Sequence, residues 1–402
     1  MNKKENKNTE KRWRKKRHTF FKKLTFLLSY PIAKCKYHIK VDKYKDKRQC
    51  LILANHQTDW DQFFIGMAFR QPLYYLVSED LFSGGLLSRI WQWAIGPIPI
   101  KKSTGDIRAV LNCMKVAKEG GTIAIFPEGN RTYSGATEYI SPAIVKMVKK
   151  MKLPIVFFRI EGGYGIQPRW SDVTRKGKMR GYVSKVLEYE EYKFLSDDEL
   201  TALVKNELYV NESMSDSKFL HTKRAEYLER AIYVCPDCGI AEFESNKHII
   251  HCKKCGKNIE YTEDKQLKCV DIAFPFSNIK EWYDYQSDYM NALDLSKYHK
   301  MPLFSDKIDL YNVVLYKRKE KLREGIQFSG FGNRFVFEAE ALRFENVHAV
   351  TVLGRNKLNI YYNDKVYQIK GGKRFNALKY VHLFYRYRQI AKGGANDKFL
   401  GL

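Results

Sequence analysis

No stretch of this chain is long and apolar enough to cross a bilayer. A spanning helix needs about 18 consecutive apolar residues, and the best run, Thr25–Ala33, falls far short. That run has the length of a signal-peptide core. No small-residue cleavage site follows it, and Lys34 and Lys36 come next, so the chain is expected to be uncleaved and cytosolic. Acidic residues are also scarce: 45 Asp and Glu face 71 Lys and Arg, a net charge of +26. Residues 1–48 hold only four acids (Glu5, Glu10, Asp42, Asp46) against 18 basic residues, a local net of 18 − 4 = +14. Such a terminus seeks a polyanion, either nucleic acid or an anionic membrane surface. No internal repeat is found.

What is present suffices for a packed protein. With 44% hydrophobic residues, global disorder is excluded, and 402 residues imply two or three domains. Between Cys50 and about Tyr189, short apolar runs alternate with helix-length amphipathic segments. The strand-like runs are 50–54, 73–77, 122–126, 155–160 and 183–189; helices are predicted over 62–69, 86–94, 107–118 and 143–152. Nearly all-apolar strands alternating with helices mark an α/β sheet buried on both faces. Ser196 opens a further helix through a capping-box arrangement, and a polar linker at 211–218 closes the region. After Met301, short strand-like pieces separated by Gly or Asn-Asp turns precede a final helix over 377–390. That order fits a small barrel or a pleckstrin-like module.

Three places carry groups suited to chemistry. Where the run Leu51–Ala54 ends, Asn55-His56-Gln57-Thr58-Asp59-Trp60-Asp61 sets a histidine at a strand's carboxyl end, where α/β sheets bind ligands. Imidazole can take a proton from an alcohol, and a neighbouring carboxylate can fix its tautomer. By itself the histidine could equally cap a helix or satisfy a carbonyl, and spacing does not choose between Asp59 and Asp61 as its partner. The run 122–126 leads into Phe126-Pro127-Glu128-Gly129-Asn130-Arg131-Thr132, with a glycine, a forked cation and polar donors suited to a phosphate. An ordinary turn with a solvated arginine is the plainer alternative. Gly96-Pro97-Ile98-Pro99-Ile100-Lys101-Lys102 puts two cations after an extended stretch and, alone, reads as a loop.

In this order, and with the later apolar block Leu153-Pro154-Ile155-Val156, these segments resemble the glycerolipid acyltransferases, specifically the 1-acylglycerol-3-phosphate acyltransferases. The resemblance covers roughly residues 22–189 and implies a mixed sheet flanked by helices. It implies His56 as general base and Asp61, rather than Asp59, as its orienting carboxylate. Glu128 and Gly129 would shape the acceptor site, and Arg131 and Lys102 would hold the phosphate of lysophosphatidate. The acceptor hydroxyl would attack the thioester of acyl-CoA or acyl carrier protein directly, with no acyl-enzyme and no catalytic cofactor. The absence of a Gly-x-Ser-x-Gly elbow agrees. Lys102 stands where the family carries Arg and would act as a point charge, and Thr132 replaces Ser.

Two further features lie outside those motif blocks, and the resemblance extends to both. Some bacterial members carry an added zinc ribbon, and the family is expected to use an N-terminal helical pair at the membrane. Cys235-Pro-Asp-Cys238 and Cys252-Lys-Lys-Cys255, with 13 residues between the pairs, have the spacing of a structural zinc ribbon in a reducing compartment. His248 and His251 are expected at the surface, and Cys35, Cys50, Cys113 and Cys269 in packing roles. At the N-terminus, Lys11–Arg17 is almost purely basic, and Phe20, Phe21, Leu24, Phe26, Leu27 and Leu28 follow. That is the pattern of an interfacial helix, though packing on the protein's own core competes with it. The expected organisation is a basic membrane-associating segment (1–48), an acyltransferase domain (49–215), a zinc ribbon (229–262) and a C-terminal module (263–402), β-rich from about 305. The expected place is the cytoplasmic face of the cell membrane, as a peripheral protein. The rivals are an acyltransferase with another glycerolipid acceptor, a zinc-ribbon nucleic-acid binder, and a non-catalytic membrane adaptor. Nucleic acid is not the expected partner, because the basic excess lies far from the ribbon.

Overall fold

The computed structural model describes residues 13–78, 82, 85–100, 106–214, 217–269, 274–314, 319–338, 340–363 and 365–392. The first half runs α1 (Lys16–Cys35), β1 (Ile39–Val41), β2 (Leu51–Ala54), α2 (Asp61–Ala68), β3 (Leu73–Ser78), α3 (Leu86–Ile95), β4 (Ile98–Ile100), α4 (Ile107–Lys118) and β5 (Thr122–Ile125). It continues with α5 (Ala143–Met151), β6 (Ile155–Glu161), α6 (Gly163–Ile166), β7 (Met179–Leu187), α7 (Tyr189–Tyr192) and α8 (Asp197–Leu208). Its seven strands form one mixed sheet in the order β1-β7-β6-β2-β5-β3-β4. Every neighbouring pair is parallel except β6 and β7.

The apolar runs explain the layering. Every residue of β2 and β5 is buried, because both faces of the sheet are covered. Leu51, Leu53, Ile123 and Ile125 pack with residues of α4, α5 and α8, while Ile52, Ala54 and Ala124 pack with α2 on the other face. Each such leucine or isoleucine side chain contributes on the order of 1.5–3 kcal/mol by leaving water. Two short strands escape the periodicity reading. Ile39–Val41 owes its conformation to distant pairing with β7, and Ile98–Ile100 carries Pro99 at the sheet edge, where a missing N–H is tolerated. The predicted strand at 183–189 begins earlier, at Met179, because Arg180, Gly181 and Tyr182 pair with β6.

The second half holds β8 (Val234–Cys235), β9 (Gly239–Ile240), β10 (Phe243–Asn246), β11 (Ile249–Cys252), β12 (Asn258–Tyr261) and β13 (Leu267–Cys269), followed by α9 (Ile279–Ala292). Then come β14 (Phe304–Asn312), β15 (Glu320–Gly330), β16 (Arg334–Phe337), β17 (Glu340–Arg343), β18 (Val347–Leu353), β19 (Lys357–Tyr362), β20 (Lys365–Gly371) and α10 (Leu378–Ala391). The last seven strands form an antiparallel sheet in the order β17-β16-β15-β14-β20-β19-β18, the β-rich module with its closing helix. The cysteine-bearing strands, α9, this sheet and α10 share a single apolar core, which also takes in Tyr133 and Trp170 from the first half. The halves are therefore packed together. Arg169 fastens them: its Nε donates to the Gly354 carbonyl (2.9 Å) and its Nη2 to that of Val352 (2.9 Å).

Candidate active site

Because β2 and β5 are parallel neighbours, the segments leaving their carboxyl ends lie side by side. Asn55 fixes the first. Its amide donates to the Ile160 carbonyl and accepts from the Ile160 N–H, both at 2.8 Å, extending the pairing of β2 with β6 through a side chain. In the second segment, the Gly129 N–H donates to the Phe126 carbonyl (2.9 Å), closing a turn in which Gly129 has φ 70°. A side chain there would be strained. Glu128 joins the two segments: its oxygens accept from the backbone N–H groups of His56 and Glu138, each at 2.8 Å. Burial pushes the Glu128 carboxyl well above the ordinary range, against the pull of those two N–H groups.

The choice between Asp59 and Asp61 is decided by where the helix begins. Trp60 is the N-cap of α2, and Asp61, wholly buried, is its first residue. Its carboxylate folds back over the preceding loop. Oδ2 meets His56 Nδ1 at 2.8 Å and accepts from the N–H groups of Gln57 (2.6 Å) and Thr58 (2.9 Å), while Oδ1 accepts from the Thr58 hydroxyl (2.5 Å). This arrangement favours the tautomer with its proton on Nδ1 and leaves Nε2 the basic nitrogen. The imidazole stacks on Phe126, with ring centroids 4.2 Å apart. Asp59 faces elsewhere. One oxygen lies 2.9 Å from Arg131 Nη2 and the other 3.0 Å from Arg355 Nη2.

His56 stands in the wall between two cavities. One, of 860 Å³, is lined by apolar side chains of several helices, among them Phe26, Trp91, Ile144 and Met147. Glu128 and Gly129 also reach it. Lys22 projects into it from α1 and is drawn down to about 8 by burial, with Lys43 adding to the effect. The other, of 190 Å³, is polar: besides His56 its walls are Asp59, Gln62, Asn130, Arg131, Arg169 and Gly354. Burial lowers the Arg131 guanidinium from its ordinary value, with Asp59 opposing. Of the residues expected at the site, His56, Asp61, Glu128, Gly129 and Arg131 come together here. Lys102 lies outside the described residues. The sequence reading missed Asn130, Arg169 and Arg355 as site residues, and no local pattern marks the two arginines.

The four cysteines converge. The sulfur atoms of Cys235, Cys238, Cys252 and Cys255 all lie within 4.8 Å of one another, with Cys235 and Cys255 at 3.8 Å. A tetrahedral thiolate shell with metal–sulfur bonds of about 2.3 Å has edges of roughly 3.8 Å, so the set could hold a metal ion. Cys50 and Cys113 are buried as expected, whereas Cys35, at the end of α1, is exposed.

Residues 35–161 match the family model described as acyltransferase. This segment resembles an acyltransferase domain. It includes His56, Asp61, Glu128, Gly129 and Arg131. The chain is 23% identical over 194 residues to the chloroplastic 1-acyl-sn-glycerol-3-phosphate acyltransferase BAT2 of Brassica napus, covering 46% of this chain and 55% of that protein. It is 26% identical over 136 residues to the 1-acyl-sn-glycerol-3-phosphate acyltransferase of Pseudomonas aeruginosa, covering 32% and 51%. The chain thus spans about half the length of the curated relatives it matches. The crystal structure of the 1-acyl-sn-glycerophosphate acyltransferase PlsC from Thermotoga maritima aligns with 47% of this chain and 74% of its own, at 19% identity and a TM-score of 0.38. The cysteine cluster and the β-rich module lie beyond the matched segment.

Proposed function

We propose that the chain transfers a fatty acyl group from an acyl thioester, acyl-CoA or acyl carrier protein, to the free hydroxyl of 1-acylglycerol 3-phosphate, giving phosphatidate. One observation carries this reading: His56, with Asp61 on Nδ1, divides an apolar cavity from an arginine-lined pocket. The first suits an acyl chain and the second a phosphate, so the hydroxyl between them comes to His56. The acceptor oxygen attacks the thioester carbonyl and its proton passes to Nε2. The tetrahedral intermediate then collapses, the carbon–sulfur bond breaks, and the imidazolium returns the proton to the departing thiolate. Asp61 holds the ring and stabilises its charged form. Glu128 and Gly129 set the loop that faces His56, and Arg131 binds the phosphate, with Lys102 assigned the same task.

The cysteine cluster holds a structural zinc ion, which couples folding of the ribbon to metal binding. The protein works at an anionic membrane surface as a peripheral protein. Leu27 on α1 and Trp93 on α3 are 68% and 53% exposed, and the Phe21 ring lies 5.2 Å from that of Trp93, so the two helices present one apolar face. Among the described residues no helix is long and apolar enough to cross a membrane. The test is a panel of acceptors with labelled acyl-CoA and acyl carrier protein: lysophosphatidate should be acylated well ahead of glycerol 3-phosphate and of lysophospholipids with esterified phosphate. A preference for one of those would replace the acceptor named here.

A further inference from the structure

The polar pocket is finished by the other half of the chain. Between β18 and β19 the hairpin turns at Gly354, with φ 61°, which lines the pocket, and the next residue, Arg355, reaches the pocket residue Asp59 at 3.0 Å. Arg131 and Arg355, 224 positions apart in sequence (355 − 131), each pair with one oxygen of the same carboxylate, Asp59. Two guanidiniums directed at the two oxygens of one oxyanion form the arrangement that binds a phosphate monoester. Asp59 is 41% exposed on its side chain, so it is not locked into the core as Asp61 is. Further donors stand ready. Nη1 of Arg131, a residue only 5% exposed, and Nε of Arg355 are buried without a hydrogen-bond acceptor among the described residues. Leaving such buried donors unsatisfied is costly, and a ligand with three terminal oxygens would supply what one carboxylate cannot. Arg169 holds the turn in register through the carbonyls of Val352 and Gly354, while its Nη1 donates to the Arg131 carbonyl at 3.0 Å.

We infer that Arg355, contributed by the β-rich module, is a specificity-determining residue for the acceptor, gripping its phosphate together with Arg131 while Asp59 gives way. The inference rests on the acceptor assignment above. It makes the module part of the substrate site, so that only a chain with both halves docked discriminates phosphorylated acceptors from neutral ones.

The experiment uses the full chain with Arg355→Gln and Arg355→Lys, comparing lysophosphatidate with monoacylglycerol. Loss of a charge-assisted contact should raise the lysophosphatidate KM about tenfold to a hundredfold, with kcat little changed. Monoacylglycerol kinetics should not move, and Arg355→Lys should recover part of the loss. Titration with glycerol 3-phosphate, which needs no turnover, should show the same weakening. An unchanged lysophosphatidate KM, or equal loss with both acceptors, overturns the inference and leaves the acyl-transfer reading standing. Wild-type protein that acylates no phosphorylated acceptor defeats that reading instead, and the titration then decides whether Arg355 binds phosphate. If Arg355→Gln does not fold, undiminished affinity in Arg355→Lys for glycerol 3-phosphate together with an unchanged lysophosphatidate KM overturns the inference.

Discussion

Asp61→Asn should abolish acyl transfer while sparing the fold, and the structure says why the two effects separate. The carboxylate accepts four contacts: His56 Nδ1 (2.8 Å), the N–H groups of Gln57 (2.6 Å) and Thr58 (2.9 Å), and the Thr58 hydroxyl (2.5 Å). Asparagine keeps the shape. Its oxygen can serve the two backbone donors, and its amide group can donate to the Thr58 hydroxyl, which turns to accept. Stability should therefore change by no more than about 1 kcal/mol. Asparagine cannot, however, stabilise an imidazolium, and an amide group turned towards Nδ1 would select the wrong tautomer. Such a loss is worth about 10²–10⁴-fold in rate, or roughly 2.7–5.4 kcal/mol at 1.36 kcal/mol per decade. Asp61→Ala should lose activity and also strand the N–H groups of Gln57 and Thr58, at about 1–3 kcal/mol each. Initial rates with lysophosphatidate and labelled acyl-CoA, beside urea melts, separate these cases. Asp59→Asn should leave kcat largely intact. Activity of Asp61→Asn within about threefold of the parent, or greater damage from Asp59→Asn, would refute the assignment.

Three further outcomes are expected. The purified chain should carry one zinc ion, and Cys238→Ser should unfold the ribbon and loosen the core it shares with α9 and the β-rich module; elemental analysis without zinc contradicts this. His382, 2.6 Å from the Tyr233 hydroxyl, is drawn down to about 3 by burial, so below pH 6.5 the unfolded chain takes up a proton that the folded chain refuses. Its contribution is complete above pH 6.5 and is lost by about 1.4 kcal/mol per pH unit as pH falls towards 3, so His382→Gln should flatten melts taken between pH 6.5 and 4.5. Leu27→Glu with Trp93→Glu should weaken flotation with vesicles, since both side chains are offered to the bilayer; unchanged flotation would move the membrane contact elsewhere.

The parts legible in the sequence are those fixed by local pattern. Strands β2, β5 and β6 announced themselves because both faces are covered and nearly every position is apolar. The cysteine knuckles did so because their spacing already limits the geometry. Asp61 was not separable from Asp59 by spacing, since the answer depends on α2 starting only after Trp60. The edge strand at Ile98–Ile100 hid behind Pro99, and β1 behind its three-residue length. Arg169 and Arg355 were invisible for a different reason. Their partners, the carbonyls of Val352 and Gly354 and the Asp59 carboxylate, lie 183–296 positions away. Only the docking of the two halves brings them to the pocket.

The most direct test is formation of phosphatidate from lysophosphatidate and labelled acyl-CoA by the purified chain and by His56→Ala. The parent should make phosphatidate, and the variant should fall by about 10²–10⁴-fold with unchanged circular dichroism and vesicle binding. Activity of His56→Ala within tenfold of the parent would contradict the account, as would a folded parent protein that forms no phosphatidate with either acyl-CoA or acyl carrier protein as donor.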